Sequence, residues 1–587
     1  MGSTLLILMI LLPLVAAGGV VLAPASRSRL VAMLSGVAGL VLAGMLLLVF
    51  QWERADAIQH SSSMEWLPKI GLSISLGVDG VSMLLIALTA LLGPICVAAS
   101  TTAITERVKT YYAWLLVLQA AMVGVFAARD LIFFYVCFEF TLIPMFVLIN
   151  LYGSTNRAKA ATRFFLYTFT GSVVALAGLI YVAWHHTQIG GGVAGAEASR
   201  WTFDISTLAL SARTMSSSEQ TLVMFAMLLG FAVKVPLFPF HTWLPLAHTE
   251  APTAGSVLLA GVLLKLGTYG IYRFVLPFTP MAVVEYAPLL ATLCIIGVIY
   301  GGLICWVQTD VKKLVAYSSV AHLGFCMLGM FSLNQTGISG SVVYMINHGL
   351  STGALFLLIG MIYERYHTRS MRELGGLAAK MPVWATFMVF FAMASVGLPG
   401  LNGFVGEFMC LMGTFQASDG WATGSYGVTD ASQAIASTPG ELGPAFALLA
   451  GFGMIIAAIY LLYMVGKVVF GPLVEPGSHA EHGHGGTHAA GHGSVLPADL
   501  NTREILTLAP LAILCLVFGL FPSTMLDAIA PTSRAAAEVA QAGRNQLHAD
   551  LQLRKKARPQ AGEEGAIVPA SEAKPAEPAA HPTEAKP

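Results

Sequence analysis

From MGSTLLILMILLPLVAAGG at the start to LTLAPLAILCLVFGLF ending at 521, apolar runs follow one another along the chain with short polar joints between them. Crossing the hydrocarbon of a bilayer takes roughly 20 apolar residues of helix. With 56% of the 587 residues hydrophobic and only 11% charged, a soluble core could not hide the apolar surface. The fold class that follows is all-α and polytopic. The first run has no basic residues before it, so it reads as a retained span and not a cleaved signal.

Fourteen spans are expected, at 4–23, 29–50, 78–100, 111–128, 131–152, 163–186, 218–244, 254–274, 283–305, 311–331, 341–363, 382–415, 444–470 and 504–526. The loops after odd-numbered spans hold fourteen Lys/Arg, and those after even-numbered spans hold six. Positive loops stay inside, so this alternation predicts both termini outside, on the periplasmic side of a bacterial inner membrane. The organisation then reads as three N-terminal spans (1–110), one five-span unit (111–275), a second (283–470), a His-rich cytoplasmic loop (471–503), a last span (504–526) and a largely disordered tail (527–587).

Several chemistries are disfavoured. Lys+Arg and Asp+Glu balance at 31 each, and no basic stripe suggests nucleic acid. The seven cysteines form no C-x-x-C, which argues against iron–sulfur, zinc and disulfide frameworks. No glycine-rich loop offers a nucleotide cradle. The stretch HAEHGHGGTHAAGHG (479–493) carries five histidines and reads as a solvated loop, with metal binding as the alternative.

What remains is a small set of ionisable residues inside apolar runs. Lys467 lies at a span end and can snorkel. Glu139, Lys234, Lys265 and Glu407 lie deeper, where each costs about 2.5–3.5 kcal/mol unless paired or hydrated. They are either structural ion pairs or marks of an ion pathway, and the two readings are compatible. His322 and His348 sit mid-span in neighbouring spans. Each is either a hydrogen-bonded core histidine or a relay group titrating near neutrality.

FAVKVPLFPFHTWLPLAHTEAP (231–252) breaks its helix on Pro236, Pro239 and Pro245 just after Lys234, with His241 and His248 inside the break. Freed backbone in a membrane is tolerated only beside a cavity or buried in protein. Pro399, Gly400 and Gly403 interrupt the span carrying Glu407 in the same way. Paired interrupted spans in two halves point to an ion site, and five spans per half force inverted topology.

The segments FAVKVPLFPFHTWLPLAHTEAPTAGSVLLAGVLLKLGTYG (231–270) and DVKKLVAYSSVAHLGF (310–325), with the Glu139 stretch, resemble the antiporter-like subunits of respiratory complex I, the proton-pumping NADH:quinone oxidoreductase. Sister subunits of that family carry a lysine where LPGLNGFVGEF has Glu407, and the longest adds a lateral helix, whereas nothing apolar follows Phe521 here. The resemblance implies a Glu139–Lys234 ion pair, Lys265 as central proton carrier, His322 and His348 as links and Glu407 as terminal site, with His241 and His248 as secondary candidates. It further implies sister membrane-arm subunits as partners, the lipid bilayer as surroundings, protons as cargo, and NADH, FMN, iron–sulfur clusters and quinone held by other subunits. Rival readings are a subunit of a multisubunit cation/proton antiporter or membrane-bound hydrogenase, and a passive membrane scaffold.

Overall fold

A computed structural model describes residues 2–189, 201–418, 441–476 and 498–557. The five-histidine stretch and the tail beyond 557 lie outside the described residues.

Helices account for nearly all of the architecture. In chain order they are α1 (Gly2–Leu22), α2 (Ala25–Val49), α3 (Gly80–Ala103), α4 (Val108–Ala127), α5 (Leu131–Tyr152), α6 (Arg157–Gln188), α7 (Ile205–Ala212), α8 (Ser217–Lys234), α9 (Leu244–Glu250) and α10 (Thr253–Phe278). The second half holds α11 (Pro280–Trp306), α12 (Val311–Phe331), α13 (Gln335–Tyr366), α14 (Pro382–Val396), α15 (Asn402–Gln416), α16 (Pro444–Val468), α17 (Thr502–Leu520) and α18 (Ser523–Ala557). Among the described residues, twelve of these are long and apolar enough to cross a membrane. The expected span 218–244 is α8 with the broken stretch that follows it, α9 beginning only where that span was expected to end, and 382–415 is the interrupted pair α14/α15.

Helix starts follow ordinary capping chemistry. Asp130 accepts from the Ile132 and Phe133 N–H groups, Asp310 from those of Lys312 and Lys313, and Asn334 from that of Gly337. Burial runs from the rim inward. Leu8, Leu11, Leu14, Leu34 and Val41 on α1 and α2 face outward, while the apolar stretches of α10 and α13 are buried throughout, exposure on α13 beginning only at Tyr363 in its last turn. A helix apolar all round and sealed by neighbours is the natural carrier of ionisable groups, because its polar atoms can be met only by protein.

Two features correct the sequence reading. Gln59–Leu67 and Leu72–Val78 pair as an antiparallel hairpin, β1–β2, joined at Gly71 in a left-handed turn (φ 71°). This hairpin lies between two spans, where no strand was expected. The segment 527–557, expected within a largely disordered tail, continues α18, which lies against α3, α10, α11 and α13. Met525, Ile529, Ser533, Ala537, Ala540 and Leu547 form its buried stripe. Small residues make up half of it, so the stripe carries little hydropathy despite its helical period.

Candidate functional site

The two interruptions are where the backbone must find new partners. α8 stops at Lys234, and Pro236 and Pro239 remove donors. The Val233 carbonyl is met by the indole N–H of Trp243 (2.9 Å), and Leu237 N–H donates to Ala232 O (2.9 Å). At the far end of α9, Lys312 Nζ donates to Ala251 O (2.6 Å) and Thr249 O (3.3 Å), and Arg369 donates to Thr249 O (2.6 Å). Two cations thus cap the negative end of a short helix. The second interruption closes by a different device. Asn347 Nδ2 donates to Asn402 O (2.6 Å) and Asn402 Nδ2 to Asn347 O (3.3 Å), which ties the start of α15 to α13. Gly397 (φ 82°) and Gly400 (φ 93°) take left-handed backbone there.

Lys234 is buried, but its ammonium does not meet Glu139 within salt-bridge distance. It donates to Phe138 O and Thr141 Oγ1, both at 3.4 Å, and sits 3.9 Å from the centroid of the Phe138 ring. Both carboxylate oxygens of Glu139 are buried and outside full hydrogen-bond geometry, with the Ser172 hydroxyl the polar side chain beside them. The two residues are within electrostatic reach across neighbouring helices, yet the contact ion pair implied by the resemblance is open in this structure. Carbonyl, hydroxyl and ring face together hold the lysine in place.

Lys265 is fully buried in α10, between two wide π-turns at Leu259–Leu263 and Ile271–Val275. Its Nζ reaches Ala260 O and lies 2.7 Å from Nδ1 of His348 on α13. With the lysine protonated, Nδ1 must be the acceptor, which leaves the imidazole proton on Nε2. The His348 and His322 rings stand edge to face, centroids 5.8 Å apart, and His348 Nε2 has no partner.

His322 Nδ1 lies 2.6 Å from the Tyr344 hydroxyl and 3.4 Å from Glu407 Oε1. The same hydroxyl donates to Glu407 Oε1, and Tyr460 OH lies 3.5 Å from His322 Nε2. Glu407 is fully buried and its Oε2 has no hydrogen-bond partner, facing the Cα of Gly397 where a side chain would collide with it. The structure therefore joins Lys265, His348, His322 and Glu407 in one buried row, with Glu139 and Lys234 forming a separate pair to one side.

The secondary candidates differ from each other. His241 lies between the rings of Phe238 and Tyr300, with Nδ1 unpartnered. His248 is completely buried, stacked on Phe356 at 4.7 Å, and neither ring nitrogen has a partner. A cavity of about 560 Å³, lined by Ser154, Glu250, Lys312 and Arg369 among others, begins two residues from His248 at Glu250.

The comparisons with known proteins bear on the same residues. The family model "NADH:quinone oxidoreductase/Mrp antiporter, TM" matches residues 128–432, more than half of the chain. The chain belongs to that family. A relative from Rhodobacter capsulatus, NADH-quinone oxidoreductase subunit M, is 40% identical over 86% of this chain and 88% of its own length. Respiratory complex I from Thermus thermophilus with bound NADH includes a chain of the same fold, 28% identical, with a TM-score of 0.74 over 91% of this chain and 99% of that one. A chain of the Mrp complex from Dietzia sp. DQ12-45-1b is 21% identical with a TM-score of 0.71, covering 93% and 99%, a likeness of fold alone. The family expected from the two signature segments is the one found, and the branch that Glu407 pointed to, subunit M (chain 4 in mitochondria), is the one its relatives carry.

In this family member, sequence reasoning passed over Tyr344, Tyr460, Asn347 and Asn402. Tyr344 lies four residues before His348 on α13, so both side chains share a helix face. That spacing was visible in YMINH; a tyrosine in an apolar run raises no alarm on its own.

Proposed function

We propose that the chain carries protons as a membrane-arm subunit of an NADH-quinone oxidoreductase, in a bacterial inner membrane, with sister antiporter-like subunits beside it. Electron transfer from NADH to quinone, with its FMN and iron–sulfur clusters, belongs to other subunits. The observation that carries this reading is the buried row Lys265–His348–His322–Tyr344–Glu407, which places four titratable groups and a hydroxyl bridge where lipid tolerates none without cause.

The chemistry is electrostatic. When Glu139 approaches Lys234 it stabilises the ammonium; when it withdraws, that stabilisation is lost. The field change this produces shifts Lys265. Lys265 passes a proton to His348 Nδ1, the His348–His322 step is crossed by a ring turn or a water, and Tyr344 delivers it to Glu407. The free His348 Nε2 is the donor for the middle step. Protons enter from the cavity bounded by Glu250 and Lys312 by way of His248. The two interrupted pairs, in five-span halves of inverted topology within a fourteen-span whole, supply the local looseness this needs.

A cation/proton antiporter subunit shares the fold, but the 40% relative and Glu407 favour the oxidoreductase. A passive scaffold gains nothing from buried charges that lie apart. Purification of the native complex with identification of its co-purifying subunits tests the assignment. NADH- and quinone-binding partners are expected, and a set of antiporter subunits without them would overturn it.

A further inference from the structure

Where α11 and α16 end on the same side, a cleft of about 700 Å³ opens between them and the loop that follows α13. Gln308, Arg372, Tyr463, Lys467 and Phe470 are among its lining residues, and among the described residues no Asp or Glu lines it. Arg372 and Lys467 are exposed, and among the described residues neither has an ion-pair partner; Lys467 Nζ stands 5.9 Å from the Tyr463 ring centroid. Gly375 and Val474 exchange backbone hydrogen bonds (3.1 and 2.9 Å), which fixes the wall of the cleft. Its floor is open at Gly466, where an added Cβ would meet nothing within 4 Å.

Just outside the cations the surface turns apolar. Trp306, Val307, Tyr463, Phe470 and Leu473 are all exposed. Aromatic side chains at a span end mark the level of lipid headgroups, with acyl chains on one side and water on the other. Two unpaired cations at that level, with an open floor between helices and an apolar wall below, complement a negatively charged headgroup above two acyl chains. A protein partner would be expected to bring carboxylates to a surface of this sign, and would leave the headgroup-deep cleft unfilled.

We infer that this cleft binds an anionic phospholipid, its phosphate between Arg372 and Lys467 and its chains along Tyr463, Phe470 and Leu473. Each basic residue near a membrane surface contributes about a fivefold preference for anionic over neutral lipid, so the pair gives roughly 25-fold. The neighbouring Gly466 keeps the floor open.

The test uses the assembled complex in vesicles containing a small fraction of phosphatidylglycerol, or of phosphatidylcholine, carrying a photoreactive group beside the headgroup. Labelled peptides of this chain are mapped by mass spectrometry, with assembly checked on native gels. The phosphatidylglycerol probe should label the stretch 463–474 roughly 25-fold more than the phosphatidylcholine probe. Arg372→Gln with Lys467→Gln should bring the two probes close to parity. Gly466→Leu, which fills the floor without touching charge, should reduce labelling by both. Equal labelling by the two probes in the unaltered complex would overturn the inference. So would an undiminished preference in the double variant, or protection of this stretch by crosslinking to another subunit.

Discussion

Tyr344 joins His322 to Glu407, and it is the residue the chain's hydropathy conceals best. Its hydroxyl contacts both His322 and Glu407. Tyr344→Phe keeps the ring and removes only that bridge, so the complex should assemble while proton-coupled turnover falls roughly tenfold or more, read as quinone-dependent NADH oxidation and proton uptake in vesicles. Tyr460→Phe, at the longer 3.5 Å contact, should cost less. At Lys234 the substitutions separate two explanations. Lys234→Ala leaves Glu139 without a nearby cation, and turnover should drop; Lys234→Arg keeps a charge that cannot be released, and should assemble yet pump poorly. Restoration of full pumping by arginine would mean that the site only locks helices together. The ionisable residues were legible in the sequence because each is costly in lipid and so stands out against an apolar run. Tyr344, Asn347 and Asn402 were not, since tyrosine and asparagine are common enough at helix contacts that only the fold shows what they meet. The open Glu139–Lys234 arrangement was equally beyond the sequence, which fixes residue types and not distances.

The breaks in α8/α9 and α14/α15 were readable because Pro and Gly act locally, on the residue that carries them and the one before. Their repair was not, since Trp243, Lys312, Arg369 and Asn347 come from elsewhere in the chain. The π-turns flanking Lys265 left no compositional trace. At Gly403 an added Cβ would press on Ala394 O, a backbone atom that cannot step aside. Gly403→Ala should therefore loosen the second interruption and lower the amount of assembled complex on native gels, whereas Gly451→Ala, where a Cβ meets nothing, should leave it unchanged. α18 was misread because half of its buried stripe is Ala and Ser. Ending the chain after Pro522 would remove Met525, Ile529 and Leu547 from their buried positions, each worth about 1.5–3 kcal/mol. Loss of stable complex is the expected result on native gels. Ending it after Ala557 keeps every contact described above, and should be tolerated.

Across the whole molecule, the polar ends of the helices gather at two surfaces. One holds the hairpin, Asp130, Asp204 and α18; the other holds Asp310, Ser370, Gly375 and Val474, which bridge to one another. The excess of Lys/Arg lies on the second surface, so it is proposed as the cytoplasmic one. An impermeant thiol reagent applied to intact cells should label Met64→Cys on the hairpin and spare Ala158→Cys in the exposed first turn of α6; the reverse pattern would invert the orientation. Among the described residues twelve helices are long and apolar enough to cross, and the count of fourteen with its alternation stays a proposal. The apolar runs were visible in the sequence, because membrane spans are written in composition. The juxtaposition of Lys265 with His348, 83 residues apart, was not, because it depends on how α10 lies against α13. That contact is the centre of the proposed relay, and it gives the most direct test. Proton uptake and quinone-dependent NADH oxidation are measured together in vesicles bearing a complex with Lys265→Ala, after native gels show normal assembly. Both should fall to about a tenth or less of the unaltered complex. Unchanged proton uptake per NADH oxidised, at an unchanged rate, would contradict the proposed relay.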